Sequence, residues 1–97
     1  MYFLYKNNII IMNDESIFKL VGYVIASEYR TNIVKSIGEE IKIPSVIAEE
    51  VNLRTNHVSK VLKDLKEEGI VVCLNEEARK GRLYKNTEVG LEILKYI

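Results

Sequence analysis

The sequence predicts a mainly α domain of the α+β class, with five helices and one small antiparallel β-hairpin. Three observations predict it. Apolar residues recur at helical spacing in successive segments, and capping residues bracket those segments. After Gly69, the largely β-branched run Ile70-Val71-Val72-Cys73-Leu74 is too short for a helix, and Leu83-Tyr84-Lys85 can return as its partner. The 97 residues, 47% hydrophobic and 29% charged, suit one compact core and leave no room for a second domain.

The first thirteen residues contain no carboxylate and show no helical period. Two readings stay open for residues 1–13: a short strand or hairpin, or a leader that precedes a start at Met12. Residues 14–97 form the single domain. Ile17, Leu20, Val21, Val24 and Ile25 mark one face of a first helix over about 15 to 25. Ser27 is an N-cap with Glu28 in the first turn, and Tyr29/Arg30, Ile33, Val34 and Ile37 form the stripe of a second helix ending before Gly38. Ile41-Lys42-Ile43 alternates like a very short strand. Pro44 then opens a third helix, about 44 to 51, with Val46, Ile47 and Val51 as its apolar residues. After the tight turn Asn52-Leu53, Val58, Val61, Leu62 and Leu65 build a fourth helix that stops at Gly69. The hairpin occupies about 70–85. Thr87 caps a last helix whose Leu91, Leu94 and Ile97 share one side.

Composition removes several classes of function. One cysteine, Cys73, excludes an intramolecular disulfide, and with His57 as the one further soft ligand it cannot supply a four-ligand zinc site. Cys73 reads as a small core residue, with a redox-sensing thiol as the alternative. The longest apolar run, Leu20 to Ala26, falls far short of the ~20 residues of a membrane span, so the expected location is cytoplasmic, away from membranes. No nucleophile with a base, inward carboxylate pair or phosphate-cradling glycine loop stands out. The chain is therefore expected to be no enzyme and to need no cofactor or metal.

The 14 Lys plus Arg match 14 Asp plus Glu, so attraction to a polyanion depends on where the cations sit. They concentrate in two places. On a helical wheel with Thr55 at zero, Val58, Val61, Leu62 and Leu65 span about 240° to 340°, while Thr55, Asn56, Ser59, Lys60 and Lys63 span about 0° to 140°. Small hydrogen-bonding residues lead this polar face and cations follow, an order suited to base-edge reading and phosphate contact. Over residues 54 to 66, Arg54, Lys60, Lys63 and Lys66 stand against Asp64 alone, a net charge of +3. The second concentration is Arg79-Lys80-Gly81-Arg82 at the hairpin tip. Like charges clustered there repel one another and serve no core, as expected when a polyanion is the partner. His57, at about 200°, sits on the border of the buried face, either as a boundary residue or as a donor to phosphate when protonated.

The order helix, helix, short strand, helix, turn, helix, hairpin, helix resembles the winged helix-turn-helix domain of archaeal and bacterial transcription regulators. The resemblance covers about Ser27 to Ile97. It is carried by Ile43-Pro44-Ser45-Val46-Ile47-Ala48, by Asn52-Leu53, by the stretch Arg54 to Leu62, and by Leu65-Lys66-Glu67-Glu68-Gly69-Ile70-Val71. The run Leu74 to Tyr84 is similar to the wing of small archaeal regulators related to the ArsR and MarR groups. The resemblance implies a helix-turn-helix over about 44–68 and a recognition helix over about 55–68 in the major groove, and it makes the helix over about 15 to 25 an additional N-terminal helix. It also implies a wing, 75–82, on the backbone or minor groove. Thr55, Asn56, Ser59 and Lys60 become candidate base or near-base contacts, and Arg54, His57, Lys63, Arg79, Lys80 and Arg82 candidate phosphate contacts. Ile43 replaces the Ser or Thr common before the helix-opening proline, and the metal-sensing cysteine pairs of the ArsR group are absent.

The expected function is a transcription regulator that binds double-stranded DNA sequence-specifically. Such regulators usually bind as two-fold dimers, and Ile17, Leu20, Val21, Val24 and Leu94 are the expected homodimer contacts. The alternative is a winged-helix protein-interaction module within a larger assembly, which near-zero net charge and the wing glutamates favour.

Overall fold

A computed structural model describes residues 3–5, 8–10 and 14–97, with side chains from Glu15 onward. Its elements are β1 (Phe3–Tyr5), β2 (Asn8–Ile10), α1 (Asp14–Ile25), α2 (Glu28–Ile37), α3 (Pro44–Val51), α4 (Thr55–Glu67), β3 (Val71–Cys73), β4 (Tyr84–Asn86) and α5 (Glu88–Ile93). A single 3-10 turn, Leu94–Tyr96, follows. β1 and β2 pair antiparallel, with Leu4 opposite Ile9. The expected alternative start at Met12 falls on a residue outside those described.

Local chemistry sets the helix ends. Ser27, in extended conformation, accepts a hydrogen bond from the Arg30 amide at 3.3 Å and starts α2. Pro44 starts α3, where its missing N–H costs nothing. Asn52 takes the left-handed conformation (φ 58°), and the Leu53 amide closes the turn on the Ala48 carbonyl at 2.9 Å, so α4 can leave at an angle. Gly69 (φ 77°) ends α4, and the Ile70 amide reaches back to the Leu65 carbonyl. The Thr87 hydroxyl accepts from the Gly90 amide and lies 2.6 Å from the Gly69 carbonyl oxygen, tying α5 to the end of α4.

β3 and β4 pair antiparallel with Val72 opposite Lys85. The 41–43 segment joins them through one bridge: the amides of Lys42 and Tyr84 each donate to the other's carbonyl at 2.9 Å. This anchors the start of α3 beside the hairpin.

The core draws on nearly every element. Ile17, Val21 and Val24 of α1 meet Ile33, Val34 and Ile37 of α2, Ile47 and Ala48 of α3, and Val58, Leu62 and Leu65 of α4. Ile70, Val71, Cys73, Tyr84 and Ile93 close it. Each fully buried aliphatic side chain contributes about 1.5 to 3 kcal/mol of transfer free energy. Several expected core positions differ, Tyr29 among them at 48% exposed. Ile25 ends α1 in solvent and Val46 faces outward, because α3 turns Ile47 and Ala48 inward. Leu91 is exposed and Ile93 takes its place, since the chain tightens into the 3-10 turn at Leu94 and the spacing of one side changes. Val61 is only partly buried, at the edge of the core.

Candidate nucleic-acid interface

α4 buries Val58, Leu62 and Leu65, and this aims Thr55, Ser59, Lys63 and Lys66 along a neighbouring strip, one turn apart. The strip faces the loop 75–82 at the hairpin tip. Between them runs a cleft of about 650 Å³, with Arg79, Lys80, Gly81 and Arg82 on the hairpin side and Ile43, Pro44, Ser45 and Tyr84 completing the lining. Five cations line this cleft and no carboxylate does.

The loop is internally braced. Asn75 Oδ1 accepts from the Leu83 amide at 2.7 Å, and its Nδ2 donates to the Gly81 carbonyl at 3.2 Å. From the other side, the Arg82 guanidinium donates to the Ala78 carbonyl at 2.7 Å and the Glu76 carbonyl at 2.9 Å. Arg82 is therefore spent on shaping the tip as well as charging it. Arg79 and Lys80 are exposed, and among the described residues neither forms an ion pair.

Of the ten residues expected to touch DNA, the cleft brings together six: Thr55, Ser59, Lys63, Arg79, Lys80 and Arg82. Arg54, Asn56 and Lys60 are exposed but lie outside its lining. The Asn56 side chain accepts a hydrogen bond from the His57 amide at 3.0 Å. His57 is half-buried edge-to-face against Tyr29 of α2, with ring centroids 4.6 Å apart, so its imidazole packs between helices. Ser45 and Lys66 belong to the cleft and were not expected there. Lys66 falls at about 20° on the α4 wheel, beside Thr55, which is the signal that finds it. Its ammonium contacts both carboxylate oxygens of Glu76, at 3.0 and 3.1 Å, and these hydrogen bonds hold its pKa above the ordinary lysine value.

The expected dimer contacts need correction. Ile17, Val21 and Val24 are core residues of the protomer, covered by α2 and the last helix, and present nothing to a partner. Leu20 and Leu94 are partly buried against that core. The apolar surface left open carries Phe18 and Tyr96, 50% and 44% exposed, edge-to-face at 5.2 Å. Tyr23, also off the α1 stripe, lies under the Arg30 guanidinium at 3.9 Å.

Cys73 is buried, its Sγ 3.6 Å from Asn75 Oδ1. Among the described residues, no group of three or more His, Cys, Asp or Glu could hold a metal ion, and no helix is long and apolar enough to cross a membrane.

No protein-family model matches the chain, and no curated protein does. Solved structures do match. TubR bound to 24 bp of tubC, from Bacillus thuringiensis serovar israelensis, superposes with a TM-score of 0.71 at 14% identity, covering 90% of this chain and 94% of that one. HlyU from Vibrio cholerae gives 0.67 at 20% identity, over 88% and 94% of the two chains. The homodimeric winged helix-turn-helix DNA-binding domain of Mb0332 from Mycobacterium bovis, a possible ArsR-family transcriptional regulator, gives 0.63 at 20% identity over 88% and 83%. The likeness lies in the backbone, and together with the α3-turn-α4 pair and the β3–β4 hairpin it identifies the fold of this chain as the winged helix-turn-helix.

Proposed function

We propose that the chain is a transcription regulator that binds double-stranded DNA sequence-specifically as a homodimer. The cleft between α4 and the wing carries this reading, because five cations and no carboxylate face a space bordered by a helix and a loop. A helix with its side chains is about 10 to 12 Å across and the major groove about 12 Å wide, so α4 fits the groove with its polar strip toward the base edges. Thr55, Ser59, Asn56 and Lys60 are base or near-base contacts. Arg54, Lys63, Arg79 and Lys80 meet phosphates, and the wing lies on the backbone or minor groove. That TubR, a protein of this fold, is found bound to 24 bp of tubC supports DNA as the partner.

The homodimer rests on the exposed Phe18–Tyr96 pair beside Leu20 and Leu94, an apolar surface that a second copy would cover. Sedimentation that finds a single-chain species alone at roughly 10 µM overturns it.

The test of DNA binding is a salt series on random-sequence duplex, with Arg79→Ala/Lys80→Ala as the control. Binding that falls steeply with salt and weakens in the double variant is expected. Absence of binding at ~50 mM salt, where phosphate contacts are least screened in such a series, overturns the reading and directs the search to a protein partner.

A further inference from the structure

The wing tip is one braced loop, and it meets α4 through a single polar link. Asn75 and Arg82 close residues 75–83 on themselves by four hydrogen bonds. These bonds hold the tip together as one unit. Among the described residues, its one hydrogen-bonded connection to α4 is Lys66 to Glu76, with both carboxylate oxygens engaged. Lys66 differs in this from the other cations of the cleft. Lys63, Arg79 and Lys80 are exposed and form no ion pair among the described residues, whereas Lys66 is neutralised by Glu76, a wing residue just outside the lining of the cleft.

We infer that Glu76 is a positioning residue of the DNA site: by holding Lys66 across the mouth of the cleft, it sets the spacing between the wing and the reading face of α4, and with it the discrimination among duplex sequences. This inference rests on the function proposed above. An exposed ion pair adds little to global stability. It matters here because the loop it tethers is braced within itself and has no other hydrogen bond to α4 among the described residues, so the pair limits how far the tip stands from α4. A tether made before the duplex arrives lowers the ordering cost of binding for the sequence whose backbone matches that spacing, and for no other. Glu76 thus has a use in a wing whose net positive charge it reduces.

The experiment selects a preferred site from a pool of random duplexes and measures affinity for that site and for random duplex over a salt series. The full chain is compared with Glu76→Gln, Lys66→Met, the two combined, and the exchanged pair Lys66→Glu/Glu76→Lys. Glu76→Gln and Lys66→Met are each expected to lower the ratio of preferred-site to random affinity by about tenfold, the discrimination supplied by one good base contact. The combined variant should lose no more than either alone, and the exchanged pair should recover the ratio. The salt slope of Lys66→Met on random duplex should equal that of the unaltered chain, because Lys66 is not a phosphate contact.

A Lys66→Met slope lower by about 0.9, with the ratio intact, makes Lys66 a phosphate contact and overturns the inference. So does a Glu76→Gln chain that binds all duplexes more tightly with its ratio unchanged, since Glu76 would then merely compete with phosphate for Lys66. An unaltered chain that binds no duplex at ~50 mM salt is a different failure, that of the functional reading itself.

Discussion

Gly90 and Asn86 pack so closely that a methyl group on Gly90 would stand 2.8 Å from Asn86 Oδ1 and 2.3 Å from the Ile70 carbonyl oxygen. The Asn86 side chain is fixed in turn, because its Nδ2 donates to the carbonyls of Val34 and Gly38 at 3.2 and 2.9 Å. One side chain on the last strand thus joins the end of α2 to the start of α5. Gly90→Ala is expected to destabilise the chain by about 1 to 3 kcal/mol, as overpacking does where a backbone atom cannot yield. Gly22, in the middle of α1, has no atom within 4 Å of such a methyl group, so Gly22→Ala is expected to stabilise by about 0.5 to 1 kcal/mol. Urea denaturation of both variants checks the pair of signs.

Acid stability should depend on Glu50. Hydrogen bonds from Lys42, at 2.7 Å, and from Ser36 hold its carboxyl below the ordinary glutamate value. In the acid range the unfolded chain therefore binds more protons at this residue than the folded one does. The stabilisation is present at neutral pH and fades as pH falls through the unfolded and then the folded pKa. Glu50→Gln should lower Tm at pH 7 and leave it close to that of the unaltered chain near pH 3. A Tm difference that is the same at both values argues against the pair as its source.

The structure divides between what short-range chemistry announces and what only the folded chain brings together. The caps Ser27, Pro44, Gly69 and Thr87 act within a turn of themselves, so α2, α3 and α4 start or stop within a residue or two of the expected positions. Periodicity also assigned Ile17, Val21 and Val24 to one apolar face. It could not say that α2 and α5, rather than a second copy, cover that face, because a stripe looks the same under either cover. The cleft shows the same limit. Thr55, Ser59, Lys63 and Lys66 all follow from the α4 wheel, but the pairing of Lys66 with Glu76 exists only once the hairpin places that carboxylate opposite it. Arg82 was legible as a charge and illegible as a brace, since the carbonyls it binds belong to the turn it closes.

That double use of Arg82 predicts a failed rescue. A lysine keeps the charge but offers one compact ammonium where the guanidinium reaches two carbonyls at once. Arg82→Lys should therefore resemble Arg82→Ala in loosening the wing, with faster amide exchange at Leu83 and Ala78 in both. Were Arg82 a phosphate contact alone, Arg82→Lys would retain the salt dependence of binding and leave the wing amides protected.

The exposed wing cations and the α4 strip should separate in kind. Arg79→Ala and Lys80→Ala each remove a charge that makes no ion pair among the described residues, so each should weaken binding to all duplexes alike and lower the salt slope by about 0.9. Ser59→Ala, inside the cleft, and Asn56→Ala, beside it, leave charge unchanged and should keep the slope. Their cost, about 1 to 3 kcal/mol on the preferred site, should vanish on random duplex, because a base contact is worth its energy only against the base it fits. Direct affinity measurements on the two kinds of duplex distinguish the classes. If wing and helix variants change both quantities in the same proportion, the wing does not act through phosphates while α4 acts through bases, and the two walls read the duplex together.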